Sequence, residues 1–403
     1  MFRFLHAADL HLDRPLKGLT NLAPSMAEQV QIASRTALQR MFEVAIREDV
    51  QFVLLAGDIF DGDVRDYGTV YFLLNELGRL SKSIPVYVIR GNHDALNAAT
   101  RRMNWPANVF EFPAGSATRH VISECKVAIT GQSFGDTAEA QNLVQGYPSP
   151  LAGHFNIGLL HTSLAGAEGH DTYAPTSEQE LSSLGYDYWA LGHIHARRMV
   201  RSGSPWIVFP GNIQGSSVRE CGPRGCVIVE VDDLSHATAQ FVDLDAFRFH
   251  TVTVTIPDTS GRAVWIDRTV AVVSRLPLGE GNAVRVSYSG LHAFSDNESE
   301  QRDFREQLAQ ELASMGRAVC LESVHFTSKQ SLSNFATSSE DLQRFAEILA
   351  EWERTPSELS AWLENDPETT KLASKLGKVM SSSDIRRQLR STDSLADVIT
   401  RLR

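Results

Sequence analysis

The sequence predicts an α/β protein built as a two-sheet sandwich flanked by helices, followed by a small α+β unit and a helical tail. Three observations carry that reading. Up to residue 90, apolar runs alternate with stretches of helical periodicity in the order β-α-β-α-β, the signature of a parallel sheet covered by helices. Five apolar runs end directly in Asp, Asn or His, as strands do when they deliver polar groups to the ligand crevice of an open sheet. Beyond residue 195 the texture turns to short strands at hairpin spacing.

The first run, Phe4-Leu5-His6-Ala7-Ala8, leads into Asp9-Leu10-His11. After a loop with Pro15 and Pro24, residues Met26 to Ile46 carry Met26, Val30, Ala33, Ala37, Met41 and Ala45 at helical spacing. That crossover helix leads to Phe52-Val53-Leu54-Leu55-Ala56 and then Gly57-Asp58-Ile59-Phe60-Asp61, the stretch around which the others are organised. A second helix, Tyr67 to Leu80, aligns Val70, Leu73, Leu74 and Leu77 before Pro85 opens the strand Val86 to Arg90, which ends in Gly91-Asn92-His93-Asp94. Short strands are expected at Val109 to Phe112, Val121-Ile122 and Val127 to Thr130. Two more motif strands follow, Ile157 to Leu160 before His161 and Tyr188 to Gly192 before His193-Ile194-His195. Trp206 to Phe209, Cys226 to Val231 and Gln240 to Val242 read as hairpin strands.

From Thr251 a second unit alternates strand (Thr251 to Ile256), helix (Ala263 to Ser274), strand (Ala283 to Tyr288), helix (Glu298 to Met315) and strand (Ala318 to Phe326). After Ser331 the composition shifts to Ser, Glu, Leu and Arg, with helical patches at Leu342 to Trp352, Leu359 to Trp362 and Ile385 to Leu402. The expected domains are therefore 1–245, 250–330 as a cap that shapes substrate or DNA access, and 335–403 as a helical region that either packs on the chain's own core or binds a partner.

Composition excludes several classes. No apolar run reaches the roughly 18 residues of a membrane span, and the N-terminus enters a strand with no signal-peptide layout, so a cytoplasmic protein without membrane attachment is expected. The four cysteines, Cys125, Cys221, Cys226 and Cys320, are too scattered for a disulfide framework, and Cys221 and Cys226 lack the second pair a zinc site needs. A net charge of −11 argues against nucleic-acid binding over the whole surface. A local basic rim is still expected near the site from Arg101, Arg102, Arg197, Arg198, Arg201, Arg219 and Arg224, against the plainer reading of solvated arginines. No Gly-rich phosphate loop of the Walker type occurs, so any ATP energy would come from another chain.

The strand-end residues Asp9, His11, Asp58, Asn92, His161, His193 and His195 are too many for one ion of four to six ligands. They suit two ions sharing a carboxylate, for which Asp58 is the candidate, in the arrangement that clamps phosphoesters between metals about 3.5–4 Å apart. Mixed oxygen and imidazole donors favour Mn, Fe or Zn over Mg or Ca. His93, beside Asn92, is expected to face substrate, steadying the scissile phosphate or protonating the leaving oxygen, with an eighth ligand or outer donor as the alternative. Asp94 is expected to orient His93 by accepting its other N–H. The competing structural reading is that these are hydrogen-bonded core residues. His6, mid-strand, is read that way.

The blocks Asp9-x-His11, Gly57-Asp58, Gly91-Asn92-His93-Asp94, His161 and Gly192-His193-x-His195 resemble, in order, the five blocks of the calcineurin-like metallophosphoesterases. The resemblance implies their four-layer sandwich. It also implies a division of ligands, with Asp9, His11, Asp58 and His195 on one ion and Asp58, Asn92, His161 and His193 on the other. Within that superfamily the opening Phe4 to Leu12, the Gly57 to Asp61 block and the Arg219 to Gly225 turn before a valine-rich strand are similar to bacterial DNA repair exonucleases of the SbcD and YhaO type. This covers the first 245 residues well and the remainder only in layout. Like bacterial members, the chain has Asp61 where archaeal ones have His, which leaves open whether Asp61 assists catalysis.

That likeness implies a Mn-dependent DNA exonuclease or endonuclease acting at DNA ends, with two divalent ions (Mn²⁺ first, Fe²⁺ or Zn²⁺ next). Its implied partners are DNA, an SMC-like coiled-coil ATPase and a second copy of the chain paired through helices such as residues 66–80. Two alternatives stand beside it: a phosphodiesterase or phosphatase acting on a small nucleotide or phosphoprotein, and a non-enzymatic DNA tether with a vestigial site. A complete ligand set weighs against the last.

Overall fold

A computed structural model of the chain describes residues 1–19, 24–62, 67–80, 84–95, 103–164, 173–256, 261–289, 298–316 and 318–327. Arg101, Arg102 and the helical region expected over 335–403 lie outside the described residues. In chain order the elements begin β1 (Phe2–Ala7), α1 (Pro24–Arg47), β2 (Phe52–Ala56), α2 (Tyr67–Arg79), β3 (Val86–Ile89), β4 (Val109–Glu111), β5 (Thr118–Ile122) and β6 (Val127–Gly131). After a 3-10 turn at Leu143–Gly146 come β7 (Phe155–His161), α3 (Glu178–Ser183), β8 (Tyr188–Gly192), β9 (Arg198–Arg201), β10 (Trp206–Phe209), β11 (Gly225–Val231) and β12 (Ala237–Asp243). The last are β13 (Phe247–Thr255), α4 (Arg262–Val273), β14 (Gly281–Ser289), α5 (Glu298–Ser314) and β15 (Ala318–Thr327).

Two six-stranded mixed sheets run in the orders β12-β11-β1-β2-β3-β4 and β5-β6-β7-β8-β10-β9. The motif strands are thus split: β1, β2 and β3 lie parallel in the first sheet, β7 and β8 parallel in the second. The sequence reading of a single sheet edge is corrected here, since the polar residues arrive from two edges. Trp206 to Phe209 is the hairpin strand expected, and it gains a parallel neighbour as well. β10 lies parallel to β8, with Trp206 opposite Tyr188, and its antiparallel neighbour is the unforeseen β9, rich in arginine and exposed. β11 with β12 forms a further hairpin, and β11 also closes antiparallel on β1.

Side-chain alternation explains the layering. Along β2, Val53 and Leu55 pack with Ala37, Met41, Phe42, Leu73 and Leu77 of α1 and α2, while Phe52, Leu54 and Ala56 pack with Ile157, Leu159, Tyr188 and Ala190 of the second sheet. A strand with both faces covered needs apolar residues throughout, which is why β2 is buried at every position. Between the sheets, Phe4 stacks on Phe52 with centroids 5.0 Å apart and meets Tyr188 edge-on at 5.2 Å. The outer face of the second sheet is closed by Tyr147, Leu181 and Tyr186 over Leu160, Trp189 and Ile207.

His6 is a fully buried tie between the sheets, its Nδ1 3.0 Å from the Tyr188 hydroxyl and its Nε2 3.2 Å from the Leu191 carbonyl. Burial drives its pKa down to about 3.

The chain divides into two compact units, one of residues 1–252, 266–286 and 306–324, the other of 253–265, 287–305 and 325 onward. Strands β13-β14-β15 form a separate three-stranded sheet in that order. In the first unit Phe247, Phe249 and Ala283 pack with Met26 and Ala33 of α1. In the second, Trp265, Tyr288, Phe304 and Phe326 make an aromatic cluster, with Tyr288 and Phe326 stacked at 5.7 Å. Among the described residues no helix is long and apolar enough to cross a membrane.

Candidate metal centre

His161 ends β7 and the other motif residues lie just past the ends of their strands, where at four positions the backbone bends in a way few residues accept. Asp9, His11, Asp58 and His193 have φ of 51°, 40°, 52° and 100°. Positive φ is uncommon for residues other than glycine, and such conformers cluster at functional sites where the surroundings hold them. The hold is visible. Asp9 and His11 donate their N–H groups to the Gly57 and Asp58 carbonyls, each at 3.0 Å, and the His193 N–H donates to both Asp9 carboxylate oxygens, at 3.0 and 3.2 Å.

Two glycines make the closeness of the strand ends permissible. A Cβ on Gly91 would lie 2.2 Å from Asp58 Oδ1 and 2.7 Å from His161 Cε1, and one on Gly192 would lie 1.9 Å from the Ala56 carbonyl oxygen. Glycine is required there by backbone approach.

The donor atoms gather into three overlapping groups: Asp9, His11 and His195; His11, Asp58 and His93; Asp9, Asp58 and His161. Within each group the ligand atoms lie within 4.8 Å of one another. Asp58 and Asp9 each serve two groups, as a carboxylate between two ions would. His161 Nδ1 lies 2.8 Å from the Ala56 carbonyl, which makes it the donor there and turns Nε2 into the site, 3.5 Å from Asp58 Oδ2 and 3.0 Å from Asn92 Oδ1. His193 stands outside the three groups but with its ring 5.3 Å from that of His161. His11 Nε2 and His195 Nε2 face each other at 2.9 Å.

This donor set fits divalent cations. Asp9 and Asp58 are 0% and 2% exposed, and two buried carboxylates side by side are costly without positive charge between them. Burial raises the Asp9 pKa, His161 and His195 oppose the rise, and the Asp58 charge adds to it. Despite its burial Asp58 is held well below the usual carboxylate range by His161 and His11, and the charges of Asp58 and Asp9 overcome burial to raise His161 to about 9. The imidazoles are thus made to stand in for cations. His11 Nδ1 is buried without a hydrogen bond, 3.4 Å from Asp61 Oδ1.

The expectation for Asp94 changes. Asp94 does not present itself as the carboxylate at His93: it is fully buried and accepts the N–H groups of Ile59, Phe60 and Gly91, each at 3.1 Å, which ties the loop after β3 to the loop after β2. Burial and the Asp58 charge raise its pKa to about 7. Asp61 is instead the carboxylate near the His93 ring, with Oδ1 3.6 Å from His93 Nδ1. His93 is partly exposed, its backbone N–H bonded to Asp58 Oδ1 at 3.0 Å.

Of the arginines expected on a basic rim, Arg197, Arg198, Arg201 and Arg219 are exposed, and the Arg197 guanidinium lies 4.1 Å over the Phe241 ring. Arg224 is corrected: it is buried, with its guanidinium on the carbonyls of His195 and Cys221 and on Asn212 Oδ1. Glu220, 2.5 Å from His195 Nδ1, was missed. Its only sequence signal was an acidic residue in a turn otherwise rich in arginine.

A sandwich of two mixed sheets with Asp, Asn and His converging from five strand ends defines a metallophosphoesterase, and residues 2–197 match the calcineurin-like phosphoesterase family. That part of the chain is a calcineurin-like metallophosphoesterase domain. Among relatives, the chain is 38% identical over 232 residues to the uncharacterized metallophosphoesterase YhaO of Bacillus subtilis, a match spanning 57% of each chain. It is 23% identical to the D component of the nuclease SbcCD of Staphylococcus saprophyticus, over 61% of this chain and 70% of the relative. It is likewise 23% identical to the corresponding SbcCD component of Bacillus subtilis, over 76% and 88%.

Proposed function

We propose that the protein is a metal-dependent phosphodiesterase that acts on DNA, hydrolysing phosphodiester bonds at DNA ends as exonuclease or endonuclease. The observation that carries the hydrolase reading is the buried meeting of Asp9, His11, Asp58 and His161 in a metallophosphoesterase domain. The DNA reading is supported by similarity to nuclease components in two bacteria and by exposed Arg197, Arg198 and Arg219. Asp9, His11, Asp58 and His195 would hold one ion and Asp58, Asn92, His161 and His193 the second, with Mn²⁺ first among candidates and Fe²⁺ or Zn²⁺ next. Bound there, divalent ions supply Lewis acidity at the phosphoryl oxygens and an acidified water for in-line attack.

The chain's own residues supply the remainder. Asp61 draws His93 Nδ1 toward itself, so Nε2 is the nitrogen left for substrate. From there His93 steadies the scissile phosphate or passes a proton to the leaving oxygen. Burial lowers the His93 pKa against the pull of Asp58, so the charged ring gives up its proton more readily. Asp94 keeps the two loops that carry Asp58 and Asn92 in register. In this reading residues 250–330 shape DNA access, an SMC-like coiled-coil ATPase supplies ATP-driven movement, and the chain works as a homodimer.

The test is hydrolysis of linear and hairpin DNA, beside bis-p-nitrophenyl phosphate, in Mn²⁺, Mg²⁺ and EDTA, for wild type and His93→Ala. Mn²⁺-dependent DNA cleavage that is lost in the variant is expected. Turnover of the small diester alone would overturn the DNA reading while keeping the phosphoesterase. No turnover of either substrate would overturn both.

A further inference from the structure

The turn between β10 and β11 has no place in the five blocks of strand-end residues, yet it reaches the metal centre from outside the strand ends. Glu220 Oε1 lies 2.5 Å from His195 Nδ1. Glu220 Oε2 is itself held by the Ser216 N–H at 2.6 Å and the Ser216 hydroxyl at 2.9 Å, so the carboxylate cannot swing away from the ring. Four residues on, Arg224 donates from Nη1 to the His195 carbonyl and, at 3.1 Å, to Asn212 Oδ1, while the Asn212 N–H donates to that same His195 carbonyl at 3.2 Å. Gly211 packs beneath: a Cβ there would lie 2.6 Å from the His195 carbonyl oxygen. The turn is anchored in place, since the Gly222 N–H donates to the Phe249 carbonyl and the Lys17 N–H to the Ser216 carbonyl.

Protonation follows from this geometry. A carboxylate at 2.5 Å can only accept, so His195 Nδ1 carries a proton and Nε2 is the nitrogen turned toward the site. That Nε2 is the atom 2.9 Å from His11 Nε2, inside the group with Asp9. A histidine whose far nitrogen donates to a carboxylate is the usual arrangement behind a metal-bound imidazole, where the carboxylate fixes the tautomer and raises ligand basicity.

We propose that the Ser216 to Arg224 turn is a metal-positioning element: Glu220 grips the ring of His195 and Arg224 its backbone, and together they hold Nε2 as a ligand for one of the two ions. Glu220 and Arg224 are positioning residues and touch no substrate. The inference rests on the metal-site reading above, and it concerns only the ion that His195 serves. A ligand held from both ends loses little freedom on binding, so the turn raises affinity at that ion and leaves the His161 ion alone.

The test is calorimetric titration of Mn²⁺ into the metal-stripped full chain, with thermal unfolding in EDTA alongside. For Glu220→Ala one of two binding steps is expected to weaken by about 10–100-fold, with the other unchanged. Glu220→Gln keeps the size, but its single acceptor oxygen cannot serve both His195 and Ser216; a weakening of about tenfold is expected, and this variant decides the matter if Glu220→Ala does not fold. Wild-type isotherms in both variants, or a lower unfolding midpoint in EDTA with unchanged affinity, would overturn the proposal and mark the turn as a stabilising loop only. A wild type that binds no divalent ion would overturn the metal site with it. A wild type that binds two ions, loses one in Glu220→Ala and cleaves no phosphoester would sustain this inference and overturn the proposed activity.

Discussion

Asp9 and His193 are joined directly across the two sheets: the His193 backbone N–H donates to both oxygens of the Asp9 carboxylate, at 3.0 and 3.2 Å. One residue follows β1 of the first sheet, the other β8 of the second, so the metal centre is also a seam of the sandwich. Without cations this seam carries a penalty, because Asp9 is fully buried and its pKa is raised, chiefly by burial. A carboxyl raised in the folded state contributes stability below its unfolded pKa and loses it as pH rises through the folded value. Asp9→Asn keeps an oxygen for the His193 N–H and removes the charge. In EDTA at about pH 8 its unfolding midpoint is expected to rise by about 1–2 °C, the shift that roughly 1 kcal/mol produces in a chain of this size. In saturating Mn²⁺ the order reverses, because the wild type gains more binding energy than a variant that has lost one ligand charge. Differential scanning calorimetry in both buffers checks it.

Gly91→Ala is the sharpest steric test of the centre. The added methyl must displace Asp58 or His161, at an expected cost of about 1–3 kcal/mol in folding stability and a larger proportional loss of metal binding. Urea unfolding and Mn²⁺ titration would show both, and a variant with wild-type affinity would mean the loop has room to move.

Asp61 predicts a split in kinetic constants. Its Oδ1 lies 3.4 Å from His11 Nδ1 and 3.6 Å from His93 Nδ1, and although burial opposes it, the proximity of His11 and Arg14 keeps the carboxyl below its usual range. Asp61→Ala should leave His93 present but unoriented, lowering kcat on bis-p-nitrophenyl phosphate by about tenfold with KM near the wild-type value. A change confined to KM would place Asp61 in substrate binding.

His6 predicts a pH response remote from the chemistry. Its folded pKa of about 3 lies below the ordinary histidine value of 6.5, so the unfolded chain binds the extra proton between those limits. The stability owed to neutral His6 is complete above roughly pH 6.5 and drains away as pH falls toward about 3, amounting to a few kcal/mol at order of magnitude. His6→Gln, which has no titrating ring, should show a shallower fall in chemical-denaturation midpoint between about pH 6.5 and 4, and an identical slope would remove His6 from the account.

Much of the first unit was legible because its signals are local. The apolar run Phe52 to Ala56 and the helical spacing from Met26 to Ile46 each report one element, and the observed bounds differ by a few residues at most. The candidate ligands were legible for a similar reason: a polar residue directly after an apolar run needs a purpose. Pairing was harder. Nothing in Trp206 to Phe209 says that it adds parallel to β8, because the partner of a strand is set by topology and not by its own pattern. The exposed β9, Arg198–Arg201, has no apolar period to betray it. Side-chain direction was beyond reach as well. Asp94 and Asp61 were both acidic candidates near His93, and only the fold turns one toward three backbone amides and the other toward the imidazole. Arg224 read as surface because arginine usually is, yet burial against carbonyls satisfies it here.

The positive φ angles at Asp9, His11, Asp58 and His193 set the chain's tolerance to change at odds with its chemistry. Each strained residue costs on the order of 1–3 kcal/mol, and glycine at the same position would relax it. A library of variants screened for heat resistance in chelator would therefore drift toward glycine at these four positions, discarding the ligands first and gaining robustness as it went. The same screen run in Mn²⁺ would keep them, so the metal supplied during selection decides which version of this fold survives.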